Sequence, residues 1–193
     1  MTVALIGGRS GLGEKIAQHF DGCAVLSRPT YDISTVEGRA AICDEVDRLS
    51  SDIVVLNSFD HNHRRSQFDT FVSLWDRFSS RPITIVVISS FAKNYAGIDV
   101  GDAGFQAYCL AKKRLSEQAL RSAYSSSAAK VVVIEPCVVE NNAGKNFVDG
   151  TYITYDELLD MIDCGLDQVK NCRATCISRV GLHSDASLLQ VRT

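Results

Sequence analysis

The sequence of 193 residues predicts a single α/β domain built on a doubly wound parallel sheet. Two features of the hydrophobic pattern support this fold. Short runs of near-continuous apolar residues, typical of strands buried on both faces, alternate with longer stretches in which apolar residues recur every three or four positions. The chain also lacks repeats, low-complexity tracts and any linker long enough to divide it. We therefore expect one sheet covered by helices on both faces, with a ligand site at the carboxyl ends of its strands.

The elements alternate regularly along the chain. The predicted strands are the short apolar runs at 3–6, 23–26, 52–56, 83–88, 130–134 and 174–180. The predicted helices are the amphipathic stretches at 12–20, 35–50, 68–78, 105–124 and 158–169. A loop rich in glycine separates the fourth strand from the longest helix at 97–104, and Pro136 ends the fifth strand.

Composition excludes several classes of protein. The chain has 20 lysines and arginines against 23 aspartates and glutamates, a net charge of −3 that does not suit a general nucleic-acid-binding protein. No apolar run approaches the roughly 20 residues of a membrane span, and the start of the chain has no basic region typical of a secretion signal. The seven cysteines are scattered, and only Cys172 and Cys176 lie close together. We expect reduced thiols in a cytoplasmic protein, without a metal site.

A glycine-rich turn lies between the first strand and the first helix. Its spacing is Gly-x-x-x-Gly-x-Gly at Gly7, Gly11 and Gly13. Glycines allow a tight turn and let backbone N–H groups approach a pyrophosphate at the helix N-terminus. An ordinary glycine-rich turn is the alternative, but the position between strand and helix favours a dinucleotide site. The residues expected to contact the cofactor here are Gly7, Arg9, Ser10, Gly11, Leu12 and Gly13.

Arginine replaces the acidic residue that many NAD-binding folds carry after the second strand. Arg28 stands at this place, and Arg9 lies within the glycine turn. A guanidinium group can bind a 2′-phosphate with two hydrogen bonds, so the pattern favours NADP(H) over NAD(H). The alternative is that both arginines are simply solvated.

Tyr108 and Lys112 are one helical turn apart at the start of the longest helix, and therefore share one face of it. A lysine ammonium beside a phenol favours the phenolate, so we expect Lys112 to lower the pKa of Tyr108. The tyrosine could then exchange a proton with a carbonyl or an alcohol. Ser89 and Ser90 end the preceding strand, where one hydroxyl could hold a substrate oxygen; a turn or capping serine is the alternative.

In the order and spacing of these motifs the chain resembles the short-chain dehydrogenase/reductase family over nearly its whole length. The resemblance implies an NADP-dependent oxidoreductase that transfers a hydride between NADPH and a small carbonyl or alcohol. Its catalytic residues would be Ser90 (with Ser89 as the alternative), Tyr108 and Lys112, the last two also binding the cofactor. Further cofactor contacts fall on the places of the family's acidic adenine contact and of its Asn-Ala-Gly and Pro-Gly motifs, here Asp32, Ile33, Asn57, Ser58, Pro136 and Val139.

The resemblance also implies a homodimer or higher homo-oligomer. Relatives pair through the helix that carries the tyrosine and lysine and through the helix before it, here 105–124 and 68–78. The second of these carries Trp75 and more aromatic residues than one buried face needs. A two-fold dimer is also the commonest oligomer of soluble proteins.

Several departures from the family pattern leave a second function open. The usual helix after the second strand is missing, the loop at 97–104 is an insertion, and the family's catalytic asparagine has only Asn62 as a poor candidate. Glu135, at the end of the fifth strand, is expected to form a structural hydrogen bond. The polar residues that follow the third strand are expected to form a solvated loop; they are His61, His63, Arg64 and Arg65. The alternative function is a non-catalytic NADP-binding regulator, and 193 residues are too few for the substrate domain of a nucleotide-sugar epimerase.

Overall fold

The structure is a computed structural model, which describes residues 1–9, 11–99, 101–125, 128–139, 152–179 and 189–192. The strands are β1 (Val3–Ile6), β2 (Ala24–Leu26), β3 (Ile53–Leu56), β4 (Thr84–Ile88), β5 (Lys130–Pro136), β6 (Val138–Val139), β7 (Tyr152–Ile153), β8 (Ala174–Arg179) and β9 (Leu189–Arg192). The helices are α1 (Leu12–His19), α2 (Val36–Arg48), α3 (Ser66–Phe78), α4 (Ala103–Ser125) and α5 (Tyr155–Gln168). A 3₁₀ helix spans Phe91–Tyr95.

Seven of the strands form one sheet in the order β2-β1-β3-β4-β5-β8-β9. The first six are parallel, which confirms the predicted doubly wound α/β fold, and the predicted strands match them to within about two residues at either end. β9 pairs with β8 in the antiparallel direction, and β6 and β7 form a separate parallel pair. β9 and the pair of β6 and β7 were not among the predicted strands.

Alternate residues of the same strands face two different hydrophobic cores. On one side, Val54 and Val87 pack with Phe71 of α3 and Leu115 of α4. On the other side, strand residues such as Val55 pack with α1 and α5. A strand covered on both faces needs apolar side chains at every position, which explains the continuous apolar runs in the sequence.

Trp75 lies inside this core. It is 9% exposed and stacks on Phe71 with ring centroids 5.9 Å apart. The aromatic surplus of α3 is therefore used within the chain, and Trp75 gives no support to a dimer. Phe68 of the same helix is only partly buried.

No helix lies between β2 and the turn that begins α2, as the short spacing predicts. β2 is consequently an edge strand of three residues, with Val25 38% exposed. The change of strand order between β1 and β3 opens a crevice at the carboxyl ends of the strands, which is where ligands bind in such sheets. None of the helices in the described parts of the chain is long and apolar enough to cross a membrane.

Candidate active site

The glycine turn after β1 is packed so closely that side chains would not fit in it. A Cβ atom at Gly7, where φ is +87°, would lie 2.7 Å from the Cα atom of Ser58, and one at Gly13 would lie 2.2 Å from the Gly7 carbonyl oxygen. The Asn57 side chain donates a 2.8 Å hydrogen bond to that same carbonyl. The turn is thus fixed against the end of β3, and Gly11 (φ +54°) precedes the first residue of α1, Leu12. Ser10 lies outside the described residues.

The residues after β2 hold their polar groups close to the turn. Arg28 is 66% exposed, and its guanidinium lies 3.6 Å from a carboxylate oxygen of Asp60. Burial raises the pKa of Asp60, but hydrogen bonds from the backbone of Asn62 and His63 and the charge of Arg28 outweigh it and lower the pKa overall. Arg9 is exposed within the glycine turn.

Asp32 and Ile33, the predicted adenine contacts after β2, form hydrogen bonds with nearby residues of the chain. The Asp32 carboxylate accepts hydrogen bonds from the Ser34 backbone at 2.9 Å and hydroxyl at 2.8 Å, which lower the pKa of Asp32. Ile33 is buried in the core, and its carbonyl accepts from Arg39. Asp32 therefore helps to begin α2.

Ser90 and Tyr108 come together at the carboxyl end of β4. The Ser90 hydroxyl lies close enough to the Tyr108 phenol to lower its pKa, and it caps the 3₁₀ helix by accepting from the Ala92 N–H at 3.2 Å. Ser89 points elsewhere, to the Ser116 hydroxyl at 2.7 Å and the Lys112 carbonyl at 3.2 Å. The structure thus places Ser90, and not Ser89, beside the tyrosine.

Burial raises the pKa of Tyr108, and the hydrogen bond with Ser90 lowers it by less. The expected lowering by Lys112 is therefore not observed. The amine of Lys112 lies over the Tyr108 ring, 5.6 Å from its centroid, and its hydrogen bonds go to Gln67 and the Ile88 carbonyl. At neutral pH the phenol is protonated.

Lys112 is 4% exposed, and burial lowers its pKa to about 7. Its Nζ donates to the Gln67 side-chain carbonyl at 2.7 Å and to the Ile88 carbonyl at 3.3 Å. The Gln67 amide nitrogen donates in turn to the Leu56 and Ile88 carbonyls, at 3.2 and 3.0 Å. The side chain of Gln67 thus connects α3 to Lys112 and to the ends of β3 and β4.

A buried ion pair lies on the far side of Ser90. Glu135 of β5 is 1% exposed, contacts the ammonium of Lys93 in the 3₁₀ helix, and accepts from the Ser178 hydroxyl at 2.6 Å. The structural hydrogen bond expected for Glu135 is present, and the pair ties the turn after Ser90 to β5. Pro136 ends β5, and Val139 packs in the core formed with α5.

Comparison of the structure with solved structures identifies the fold. It matches a 3α-hydroxysteroid dehydrogenase from Pseudomonas sp. B-0831 complexed with NADH, with a TM-score of 0.68, 16% identity, and 92% of this chain and 95% of that chain covered. It also matches an alcohol dehydrogenase from Thermococcus sibiricus complexed with 5-hydroxy-NADP (TM-score 0.71, 14% identity, 97% and 100% covered). A third match is a short-chain dehydrogenase/reductase from Vibrio parahaemolyticus (TM-score 0.67, 16% identity, 95% and 99% covered).

The chain has the short-chain dehydrogenase/reductase fold. No protein-family model matches the sequence, and no protein of curated function matches it significantly.

Gln67 is the residue of this site that the sequence analysis missed. Asn62, the poor candidate for the asparagine of the short-chain dehydrogenase/reductase pattern, instead donates its backbone N–H to Asp60 in the turn before α3. The signal for Gln67 is a polar residue on the apolar stripe of α3, four positions before the buried Phe71. A polar group placed there needs buried partners.

Tyr155 was also missed as a neighbour of the glycine turn. A Cβ atom at Gly11 would lie 3.8 Å from the Tyr155 hydroxyl oxygen, so this hydroxyl faces the N-terminus of α1. Thr154 and Glu157 form a reciprocal capping box that begins α5 at Tyr155. That motif could have shown that the helix begins before residue 158.

The polar segment after β3 forms a turn with specific contacts. Arg64 donates to the His61 carbonyl at 3.2 Å and to the Gly104 carbonyl at 2.9 Å, which links the turn to the start of α4. Arg65 pairs with Asp69 at 2.9 Å, and His63 lies 3.7 Å from Asp60. Within the described residues, no cluster of three or more potential metal ligands occurs.

The buried amine of Lys112 predicts a pH-dependent stability. Its pKa is lower in the folded chain (about 7) than in the unfolded chain (about 10.4), so the unfolded state binds more protons between these values and stability rises with pH. Between pH 7.5 and 9.5 the wild type should gain roughly 1 kcal/mol of unfolding free energy per pH unit relative to Lys112→Met. Urea unfolding at several pH values measures this, with exposed Lys113→Met as the control. Parallel pH profiles for wild type and Lys112→Met would show that the native amine is fully charged.

Proposed function

We propose that the protein is an NADP-dependent oxidoreductase of the short-chain dehydrogenase/reductase type, acting on a small carbonyl or alcohol substrate. The observation that supports this most directly is the position of Ser90 beside the Tyr108 phenol at the carboxyl end of β4, on the side of the sheet where the glycine turn also lies. A buried, protonated phenol beside a serine hydroxyl is a proton donor suited to a carbonyl oxygen. Solved structures of the same fold contain NADH or 5-hydroxy-NADP.

The residues around the glycine turn suit a dinucleotide. Backbone atoms fill the space beside Gly7 and Gly13 that a Cβ atom would need. Gly11 has no such close contact, and the nearest atom to its Cβ position is the Tyr155 hydroxyl oxygen. We infer that the N–H groups of α1 and the Tyr155 hydroxyl bind the pyrophosphate. The nicotinamide portion would lie toward Pro136 and Val139, with the remaining contacts at Ile33, Asn57 and Ser58.

In the proposed reaction the bound cofactor supplies or accepts the hydride, and the chain supplies position and the proton. Ser90 donates a hydrogen bond to the substrate oxygen and orients it toward Tyr108. The Tyr108 hydroxyl then transfers its proton to that oxygen during reduction, or accepts one during oxidation. Lys112 donates hydrogen bonds to Gln67 and to the Ile88 carbonyl, and so connects the helix that carries Tyr108 to α3 and to the end of β4.

We propose NADP(H) as the preferred cofactor on the basis of Arg9 and Arg28. Both side chains are exposed, and a guanidinium can bind a 2′-phosphate with two hydrogen bonds. The Arg28 side chain is 66% exposed beside Asp60, so part of its guanidinium faces the solvent from which a phosphate would bind. Asp60 in turn fixes where the guanidinium lies.

A second candidate is the non-catalytic NADP-binding regulator. It is favoured by the contacts of Lys112, whose amine binds Gln67 and Ile88 inside the protein and lies under the Phe59 ring at 4.7 Å. In this alternative the glycine turn binds the dinucleotide while Tyr108 transfers no proton to a substrate. Turnover with a panel of carbonyl compounds, compared with cofactor binding alone, separates the two functions.

We further propose that two copies pair through the outer faces of α3 and α4. A groove of about 560 Å³ between these helices is lined by Phe68, Ala107, Leu110, Ala111 and three arginines. The small alanines permit close approach of a second helix, and Leu110 is 38% exposed. The acidic Asp69 and Glu117 lie near the arginines, so the face carries both charges that a self-complementary contact requires. The seven cysteines all lie within the described residues and none is in a disulfide, which suits a reducing cytoplasm.

Tyr108→Phe tests the proposed reaction. The substitution keeps the ring contacts and removes the transferable proton, so turnover should fall about 10²- to 10⁴-fold while cofactor affinity stays within a few-fold. Steady-state rates on any carbonyl substrate found, with cofactor binding measured by fluorescence, provide the test. Ser90→Ala should also reduce turnover, whereas Ser89→Ala is the matched control. Undiminished turnover of Tyr108→Phe would refute the mechanism.

Arg28→Ala tests the cofactor preference. Loss of charge-assisted hydrogen bonds to the 2′-phosphate should cost roughly 1.5–3 kcal/mol of NADPH binding, about 10- to 150-fold in Kd. NADH affinity should change little, because NADH has no such phosphate. Calorimetric titration of both cofactors measures this, with Arg48→Ala, an exposed arginine paired with Glu45, as the control. Equal affinity of the wild type for both cofactors would contradict the proposal.

Light scattering during size-exclusion chromatography tests the proposed dimer. The wild type should have twice the chain mass of 21.1 kDa at micromolar concentration. Leu110→Arg should have the mass of one chain, because it places a further positive charge in a groove already lined by three arginines. Val36→Glu, at a position 68% exposed on α2, is the control and should remain dimeric. A monomeric wild type excludes this interface.

A further inference from the structure

The ring of Phe59 covers the amine of Lys112. The Lys112 Nζ lies 4.7 Å from the centroid of the Phe59 ring. The same ring meets Tyr108 edge-on, with centroids 5.2 Å apart at 88°. It also contacts the ring of His61, at 5.1 Å and 85°. Phe59 therefore contacts both the buried pair on α4 and the exposed His61.

The contacts of the Lys112 amine occupy the directions in which it can donate hydrogen bonds. One proton goes to Gln67 and another to the Ile88 carbonyl, and the remaining direction is occupied by the faces of the Phe59 and Tyr108 rings. A ring face attracts an ammonium group but offers no oxygen to it. A ligand hydroxyl that is to bind Lys112 therefore has to replace the Phe59 ring.

The chain on either side of Phe59 is fixed while its side chain is not fully buried. Asn57 is bonded to the Gly7 carbonyl, and Asp60 accepts from the backbone of Asn62 and His63. Phe59 itself is of intermediate exposure. The movement that uncovers Lys112 is thus a rotation of one side chain between two anchored residues.

We propose that Phe59 is a gate over Lys112, which closes the amine from polar ligands and opens when hydroxyl groups of a bound ligand take its place. The identity of this ligand, the ribose of a nicotinamide dinucleotide, rests on the proposed function. The gate itself depends only on the geometry of Phe59, Lys112 and Tyr108. It makes Phe59 a residue that sets cofactor affinity.

The first experiment tests the gate without cofactor. Reductive methylation with formaldehyde and a borohydride reagent, quantified for each lysine by mass spectrometry, reports which amines are accessible. In the wild type Lys112 should stay unmodified while the exposed Lys113 reacts fully, and in Phe59→Ala both should react. Phe105→Ala is the matched control, since Phe105 stacks on Tyr108 at 6.4 Å and should leave Lys112 protected.

The second experiment measures cofactor affinity of the same proteins by titration with NADPH. Phe59→Ala should bind NADPH about 3- to 30-fold more tightly. The wild type has to break a cation–π contact of this magnitude before the ligand binds, and the variant does not. Phe105→Ala should bind as the wild type does. Unchanged affinity of Phe59→Ala, with NADPH bound by both proteins, would overturn the gate and leave the proposed function standing.

The two experiments separate failure of the gate from failure of the function. If neither NADPH nor NADH binds any of the proteins, the proposed function fails, and methylation of Lys112 still decides whether Phe59 covers it. If Phe59→Ala does not fold, the smaller change Phe59→Leu takes its place, with increased methylation of Lys112 expected. Protection of Lys112 in a folded Phe59→Leu or Phe59→Ala protein refutes the proposal.

Discussion

The buried side chain of Gln67 holds the candidate site together. The last carbonyl groups of β3 and β4, those of Leu56 and Ile88, are buried, and buried acceptors without partners are costly. Gln67 satisfies both ends with its amide nitrogen and uses its oxygen for Lys112. A network of this kind stabilises only when every member is bonded, so the positions of Leu56, Ile88 and Lys112 are fixed together.

The rest of the site follows from these fixed strand ends. Asn57 and Phe59 come directly after β3, and Ser89 and Ser90 directly after β4, so their directions are set by where the strands stop. Asn57 reaches back to the glycine turn, whereas Ser90 meets Tyr108. The separate ion pair of Glu135 with Lys93 holds the turn after Ser90 from the other side.

Burial gives the site an electrostatic character that differs from a simple tyrosine–lysine pair. Desolvation raises the pKa of Tyr108 and lowers that of Lys112 to about 7, which keeps the phenol protonated and brings the amine close to neutrality. A protonated phenol suits reduction of a carbonyl, in which the proton is given and not taken. Polar groups that reach Lys112 would favour its charged form and raise its pKa. The position of the Phe59 ring therefore affects the charge of the site.

The sequence by itself determined the doubly wound fold, the six parallel strands, the glycine turn and the helix that carries Tyr108 and Lys112. These features depend on local patterns: continuous apolar runs, helical spacing, and glycines between a strand and a helix. The tertiary structure alone decided that Ser90 faces the tyrosine, that Arg28 meets Asp60, and that Gln67 binds an amine 45 residues away. It also decided that burial raises the pKa of Tyr108, where the sequence predicted a lowering by Lys112. The pKa values depend on desolvation and on contacts between distant segments, which the spacing of neighbouring residues does not determine.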